Sequence, residues 1–197
     1  MNVPNKLTIS RFALTVLFLA VIFSSVPYCE TIALLLFGAA GLTDYFDGKI
    51  ARRDHLITNF GVLMDPLADK ILVCSAFIAF VGRGWMPAWM AVIVVARELA
   101  ITGLRLLAAA STRFLEAAER FGKHKTISQI VAILSILVLH CYKQTGKVGE
   151  FIFGFHLFGG PWVEWFTVIS IWVAVILTFA SGLIYLWRNR SLYLSDL

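Results

Sequence analysis

Charge is scarce in this sequence. Only 15% of its 197 residues are Asp, Glu, Lys or Arg, where soluble domains carry about 25%. Cysteine is limited to three residues and proline to five. Three Cys cannot build a disulfide scaffold, and polarity this low excludes a disordered chain. No small-x-small cleavage site follows the first apolar run, Phe12 to Val26, which leads into Pro27-Tyr28-Cys29 and further apolar segments. A soluble secreted protein is therefore not expected. Apolar residues are abundant: 59% are hydrophobic and the mean hydropathy is +0.83. A 21.9 kDa globule cannot hide that much apolar surface from water. The expected class is an all-α polytopic membrane protein forming a single domain over 1–197. Strands are not expected, because the apolar runs are long and do not alternate.

A spanning helix needs roughly 20 mostly apolar residues. Six segments qualify: Leu7–Val26, Thr31–Arg53, Thr58–Val81, Met86–Ala110, Thr126–Tyr142 and Pro161–Trp187. Residues Met1 to Ser10 are expected to form a short N-terminal interfacial helix, or a simple positive anchor, before the first span. Gly-, Pro- and polar-rich gaps separate the rest, at Gly82-Arg83-Gly84, Gly122-Lys123-His124 and Gly146 to Pro161. Six spans place both termini on one side. That side holds Lys6, Arg11, Lys49, Arg52, Arg53, Arg105, Arg113, Arg120, Lys123, Lys125, Arg188 and Arg190, and the other only Arg83, Lys143 and Lys147. Positive loops stay in the cytoplasm, so both termini are expected there. The net charge of +5 then reflects topology and attraction to anionic lipid rather than nucleic acid, since no basic residues interleave with aromatics.

Asp44, Asp47, Asp65 and Asp69 interrupt the second and third spans. An ionised carboxylate at mid-bilayer costs about 2.5–3.5 kcal/mol, so four cost roughly 10 kcal/mol uncompensated. Water, a cation or both must hold them. Asp44, Asp47, Gly48, Ala51 and Arg52 follow i, i+3, i+4, i+7, i+8, one stripe of a helix. Gly61, Asp65 and Asp69 follow i, i+4, i+8, a second stripe. At about 1.5 Å per residue, Asp44 lies about 13 Å inward from Arg53, Asp65 about 10 Å from Thr58 and Asp69 about 16 Å. The stripes reach similar depth and form an acidic pocket open to the cytoplasm. Carboxylates without His or Cys select hard cations: Mg²⁺, Mn²⁺ or Ca²⁺. Gly48 and Gly61 leave room for a ligand or for close helix packing. A cation or proton pathway remains open on these residues alone, although the outer halves of the spans offer it little polarity.

Lys70, Arg97 and Glu98 also fall within spans, and intramembrane pairing of Arg97 and Glu98, with Lys70 or a carboxylate as partner, is expected to order the pocket. None of the four His has metal-ligand spacing to another His or to Cys. Trp85, Trp89, Trp162, Trp165 and Trp187 cluster near span ends, as an aromatic belt does. Cys74 reads as packing, while Cys29 and Cys141 fall near the outer face, where a pairing is open.

The acid stripes resemble a known signature. Asp44-Tyr45-Phe46-Asp47-Gly48-Lys49-Ile50-Ala51-Arg52, eight residues, then Gly61-Val62-Leu63-Met64-Asp65-Pro66-Leu67-Ala68-Asp69 fills every fixed position of D-x-x-D-G-x-x-A-R-x8-G-x3-D-x3-D, the pattern of the CDP-alcohol phosphotransferases. The opening Pro4 to Arg11, together with Ala96-Arg97-Glu98 and Gly122 to Thr126, is similar to the branch of that family acting on glycerol 3-phosphate. The resemblance implies transfer of the phosphatidyl group of CDP-diacylglycerol to sn-glycerol 3-phosphate, giving phosphatidylglycerophosphate and CMP. Related branches use serine, inositol phosphate or a phospholipid as acceptor. It implies Asp44, Asp47 and Asp65 as ligands of Mg²⁺ or Mn²⁺, and Asp69 as general base that also touches metal. Gly48, Arg52, Asp44 and Gly61 would lie against CDP-diacylglycerol. Arg105, Lys125, Lys123 and Thr126 would bind the acceptor phosphate. A homodimer in the bacterial inner membrane, with a cytoplasmic active site, completes what is implied.

Overall fold

The computed structural model describes the backbone of residues 3–53, 59–110, 119–157 and 159–190, and side chains in 8–43, 64, 67–68, 70–105, 124–156 and 159–190. Six long helices dominate: α1 (Val3–Ile22), α2 (Cys29–Arg53), α3 (Asn59–Gly82), α4 (Ala88–Ala110), α5 (Glu119–Cys141) and α7 (Trp162–Arg188). Their 20 to 27 residues match the roughly 30 Å thickness of a hydrocarbon core at about 1.5 Å per residue. Between α5 and α7 lie a 3-10 turn (Tyr142–Thr145), the short α6 (Gly146–Phe153) and a two-residue hairpin ladder, β1 (His156–Leu157) with β2 (Gly160–Pro161). Gly159 turns that hairpin with φ +89, in the left-handed region glycine reaches without strain.

Cross-contacts fix the direction of each helix. Glu30, at the start of α2, bonds Arg83 just past α3 and Gln144 just past α5. Trp85, before α4, stacks on His140 near the end of α5 with ring centroids 3.8 Å apart. Trp162, opening α7, donates to the Ile152 carbonyl at 2.9 Å. These contacts gather one end of every helix from α2 onward at a common level, here the far end. Phe23, just past α1, reaches Gly82 there. Successive long helices therefore alternate in direction, and α1 begins and α7 finishes at the opposite, terminal end. α1 packs on α2 and α3, α5 on α2, α3 and α7, and α4 on α3 and α7.

The core is aromatic and aliphatic around Phe18, Phe37, Phe77, Phe80, Ile133 and Leu137. Polar side chains are buried alongside this core while many large apolar ones face outward. Thr15, Gln129, Ser135, Thr167, Ser170 and Thr178 are buried, while Val16, Leu35, Val92, Leu99, Ile169 and Phe179 are exposed. Buried polar pairs join helices: Gln129 Nε2 donates to Thr178 Oγ1 at 2.9 Å, Ser135 and Ser170 hydroxyls lie 2.8 Å apart, and Thr167 Oγ1 reaches the Ser135 carbonyl at 3.1 Å. Exposed apolar surface around polar helix contacts is how helices pack when lipid is the solvent. Among the described residues, His124–Phe153 and Trp162–Arg188 are long and apolar enough to cross a membrane, and Thr8–Ile22, Cys29–Thr43 and Lys70–Gly82 form shorter apolar helices.

Three expectations change. The N-terminal segment is not a separate short helix: α1 runs unbroken from Val3 to Ile22. Pro4 sits in its first turn, where its missing N–H is not needed, and no later residue breaks the helix. The Gly122-Lys123-His124 gap belongs to α5, which begins at Glu119. The stretch from Gly146 to Pro161 is not simply a loop, because it contains α6 and the hairpin.

Candidate active site

Asp44, Asp47, Gly48 and Arg52 lie in α2, and Gly61, Asp65 and Asp69 in α3. Their side chains, and that of Lys123 in α5, lie outside the described residues. The backbone registers are informative. The Arg83–Glu30 ion pair, 2.8 Å long, ties the start of α2 to the end of α3. Asp44 stands fourteen residues past Glu30, and Asp69 fourteen before Arg83, each about 21 Å from that pair along its helix. Asp47 and Asp65 stand seventeen and eighteen residues away, at about 26 and 27 Å. Two antiparallel helices thus carry their aspartates to matching levels at the terminal end.

Among the described residues, no group of three His, Cys, Asp or Glu could hold a metal ion. The four aspartates fit one on donor chemistry and backbone level: two carboxylates on each helix, about a turn apart, would offer the all-oxygen donors a hard divalent cation takes.

Arg11 sits at the same depth. Phe18 of α1 packs on Phe37 of α2 with centroids 6.0 Å apart. Seven residues before Phe18 and seven after Phe37 bring Arg11 and Asp44 level on antiparallel helices. Arg11 is 1% exposed. Sequence reasoning counted it among the topology charges. Burial of an arginine beside Thr8 and Thr15 instead places it inside the bundle.

The described side chains also show a buried ionic cluster on α3, α4 and α5. Glu98 of α4 forms ion pairs with Lys125 of α5 and, at 3.2 Å, with Arg97 Nη1. Lys70 of α3 donates to Thr102 Oγ1, which donates to the Glu98 carbonyl at 2.7 Å. The Glu98 and Lys125 side chains are only 6% and 7% exposed. The expected intramembrane pairing is present, with Lys125 as a further partner. Lys125 is consequently not a solvated rim cation. Arg105 is exposed near the end of α4, and Thr126 is half-buried on α5. Gly182 of α7 admits Arg97, since a Cβ there would stand 2.9 Å from Arg97 Cγ.

At the far end, the Glu30 carboxylate accepts from the Cys29 thiol at 3.1 Å, from Gln144 Nε2 at 2.6 Å and from Arg83 Nη2 at 2.8 Å. His140 is structural, stacked on Trp85 with Nδ1 2.8 Å from the Ile136 carbonyl. Cys29, Cys74 and Cys141 are not joined in a disulfide.

A CDP-alcohol phosphatidyltransferase domain matches residues 1–180. A Bacillus subtilis protein named CDP-diacylglycerol–glycerol-3-phosphate 3-phosphatidyltransferase is 38% identical over 200 residues, covering 95% of each chain. Proteins of the same name from Rickettsia bellii and Shigella flexneri serotype 5b are 34% and 33% identical, covering 93% and 96% of each chain. The chain belongs to the CDP-alcohol phosphatidyltransferase family.

Proposed function

We propose that this protein transfers the phosphatidyl group of CDP-diacylglycerol to the 1-hydroxyl of sn-glycerol 3-phosphate, giving phosphatidylglycerophosphate and CMP. The names of relatives matched along nearly the whole chain support the two substrates. The observation that carries the chemistry is the level match of Asp44 with Asp69 and of Asp47 with Asp65 on antiparallel helices. The six long helices act as six spans of one membrane domain, and the twelve-to-three Lys/Arg bias directs the terminal end and its site to the cytoplasm of a bacterial inner membrane.

Asp44, Asp47 and Asp65, together with Asp69, would hold a divalent cation, Mg²⁺ or Mn²⁺. When bound, the cation neutralises the pyrophosphate and polarises the phosphorus that carries the lipid. Gly48 and Gly61 let the CDP headgroup approach the helix backbones, Asp44 lies against it, and Arg52 offers a planar fork of donors to its phosphates. Arg105, Lys123, Lys125 and Thr126 bind the acceptor's own phosphate. Asp69 accepts the proton of the acceptor hydroxyl. The hydroxyl oxygen bonds to the lipid-bearing phosphorus, the bond from that phosphorus to the bridging oxygen breaks, and CMP leaves with its electron pair. The active species is a homodimer.

Purified protein in detergent, given labelled CDP-diacylglycerol and a panel of acceptors, tests the reading. CMP release with glycerol 3-phosphate, well above that with serine, inositol phosphate or phosphatidylglycerol, is expected. Preference for another acceptor would reassign the substrate. Ion flux in liposomes without CMP release would overturn the enzyme reading.

A further inference from the structure

Glu98, to which the function above gives no role, contacts the proposed acceptor cation Lys125 and is linked to the helix of the proposed base. Its carboxylate holds Lys125 of α5. Its carbonyl accepts from Thr102, whose hydroxyl in turn accepts from Lys70 of α3. Lys70 directly follows Asp69, the proposed base. One chain of polar contacts, half-buried at Lys70 and Thr102 and buried at Glu98 and Lys125, therefore runs from the base's own helix, across α4, to the cation assigned to the acceptor phosphate. Arg97, seated against Gly182 of α7, pairs with the same carboxylate oxygen, Oε1, that holds Lys125.

Stability alone does not account for this arrangement. A buried ion pair is weak support for a fold, because apolar side chains of similar volume often serve as well or better. A lysine on a four-carbon stem has much rotamer freedom to lose when it binds a phosphate. An ion pair formed beforehand removes that freedom in advance and fixes where the ammonium stands relative to α3.

We propose that Glu98 is a positioning residue for the acceptor: it holds Lys125 where the acceptor's phosphate must bind and, through Thr102 and Lys70, sets that point relative to the base at Asp69. The proposal rests on the reading of glycerol 3-phosphate as acceptor with Lys125 on its phosphate. Glu98 reads the acceptor's phosphate through Lys125 and touches neither substrate.

The test uses full-length protein in detergent with either Mg²⁺ or Mn²⁺, and measures KM for each substrate and the preference for glycerol 3-phosphate over glycerol. In E98Q, KM for glycerol 3-phosphate is expected to rise about tenfold and the preference over glycerol to fall by a similar factor, with KM for CDP-diacylglycerol changed less than twofold. In a K125A background the same Gln substitution is expected to have less than a twofold effect, because Lys125 is the residue through which Glu98 acts. If E98Q does not fold, E98D keeps the charge on a shorter stem and is expected to raise the acceptor KM about threefold. Equal rises in both KM values, an unchanged acceptor KM, or additive effects of E98Q and K125A would overturn the positioning role and leave the enzyme reading standing. A wild-type protein that releases no CMP with glycerol 3-phosphate would bring down both.

Discussion

Gly182→Ala probes the closeness of α4 and α7. A Cβ at residue 182 would meet Arg97 Cγ at 2.9 Å and Arg97 Cβ at 3.8 Å. The nearer atom is the second carbon of the stem, so rotation of the guanidinium does not relieve the contact. Either the helices separate or the whole side chain moves. Movement breaks the 3.2 Å ion pair with Glu98 and leaves a charge poorly matched inside the bundle. Inserting a methyl into a packed core costs about 1–3 kcal/mol. Unfolding in mixed micelles by denaturant titration reads that cost. The double variant with Arg97→Ala removes the clash, and the alanine at 182 is then expected to cost less than about 0.5 kcal/mol beyond Arg97→Ala alone. A Gly182→Ala protein as stable as wild type, or one whose cost simply adds to that of Arg97→Ala, would refute the reasoning.

Asp69→Asn is expected to abolish turnover while equilibrium binding of labelled CDP-diacylglycerol remains; lost binding would show that Asp69 does more than accept a proton. Gln129→Leu removes the donor to Thr178 between α5 and α7 and is expected to cost about 0.6–1.7 kcal/mol of micelle stability. A neutral effect would mean that the bond contributes nothing in lipid-like surroundings.

The long helices were readable because lipid demands apolar runs of fixed length, and spacing alone placed two acids on each of α2 and α3 at similar depth. Helix boundaries were less readable. Gly122 and its basic neighbours look like a linker, yet the backbone of α5 continues through them. The first ten residues look interfacial because they are polar, but no breaker separates them from α1. The burial of Arg11 was hidden for a different reason. A cation at the end of a span reads as a topology signal unless its packing on α2 is known. Glu98 and Lys125 are 27 residues apart in sequence, and only the antiparallel register of α4 and α5 brings them together. The local pattern Ala96-Arg97-Glu98 marked a pairing but could not reveal that Lys125 was the partner.

The most direct measurement follows CMP release from CDP-diacylglycerol, with glycerol 3-phosphate and Mg²⁺ or Mn²⁺ present, across the single variants Asp44→Asn, Asp47→Asn, Asp65→Asn and Asp69→Asn, each checked for folding by its elution and melting. Each substitution is expected to lower the rate at least 100-fold while the protein remains folded. Rates close to wild type in any of the four would contradict a shared metal-holding pocket at the terminal end of α2 and α3.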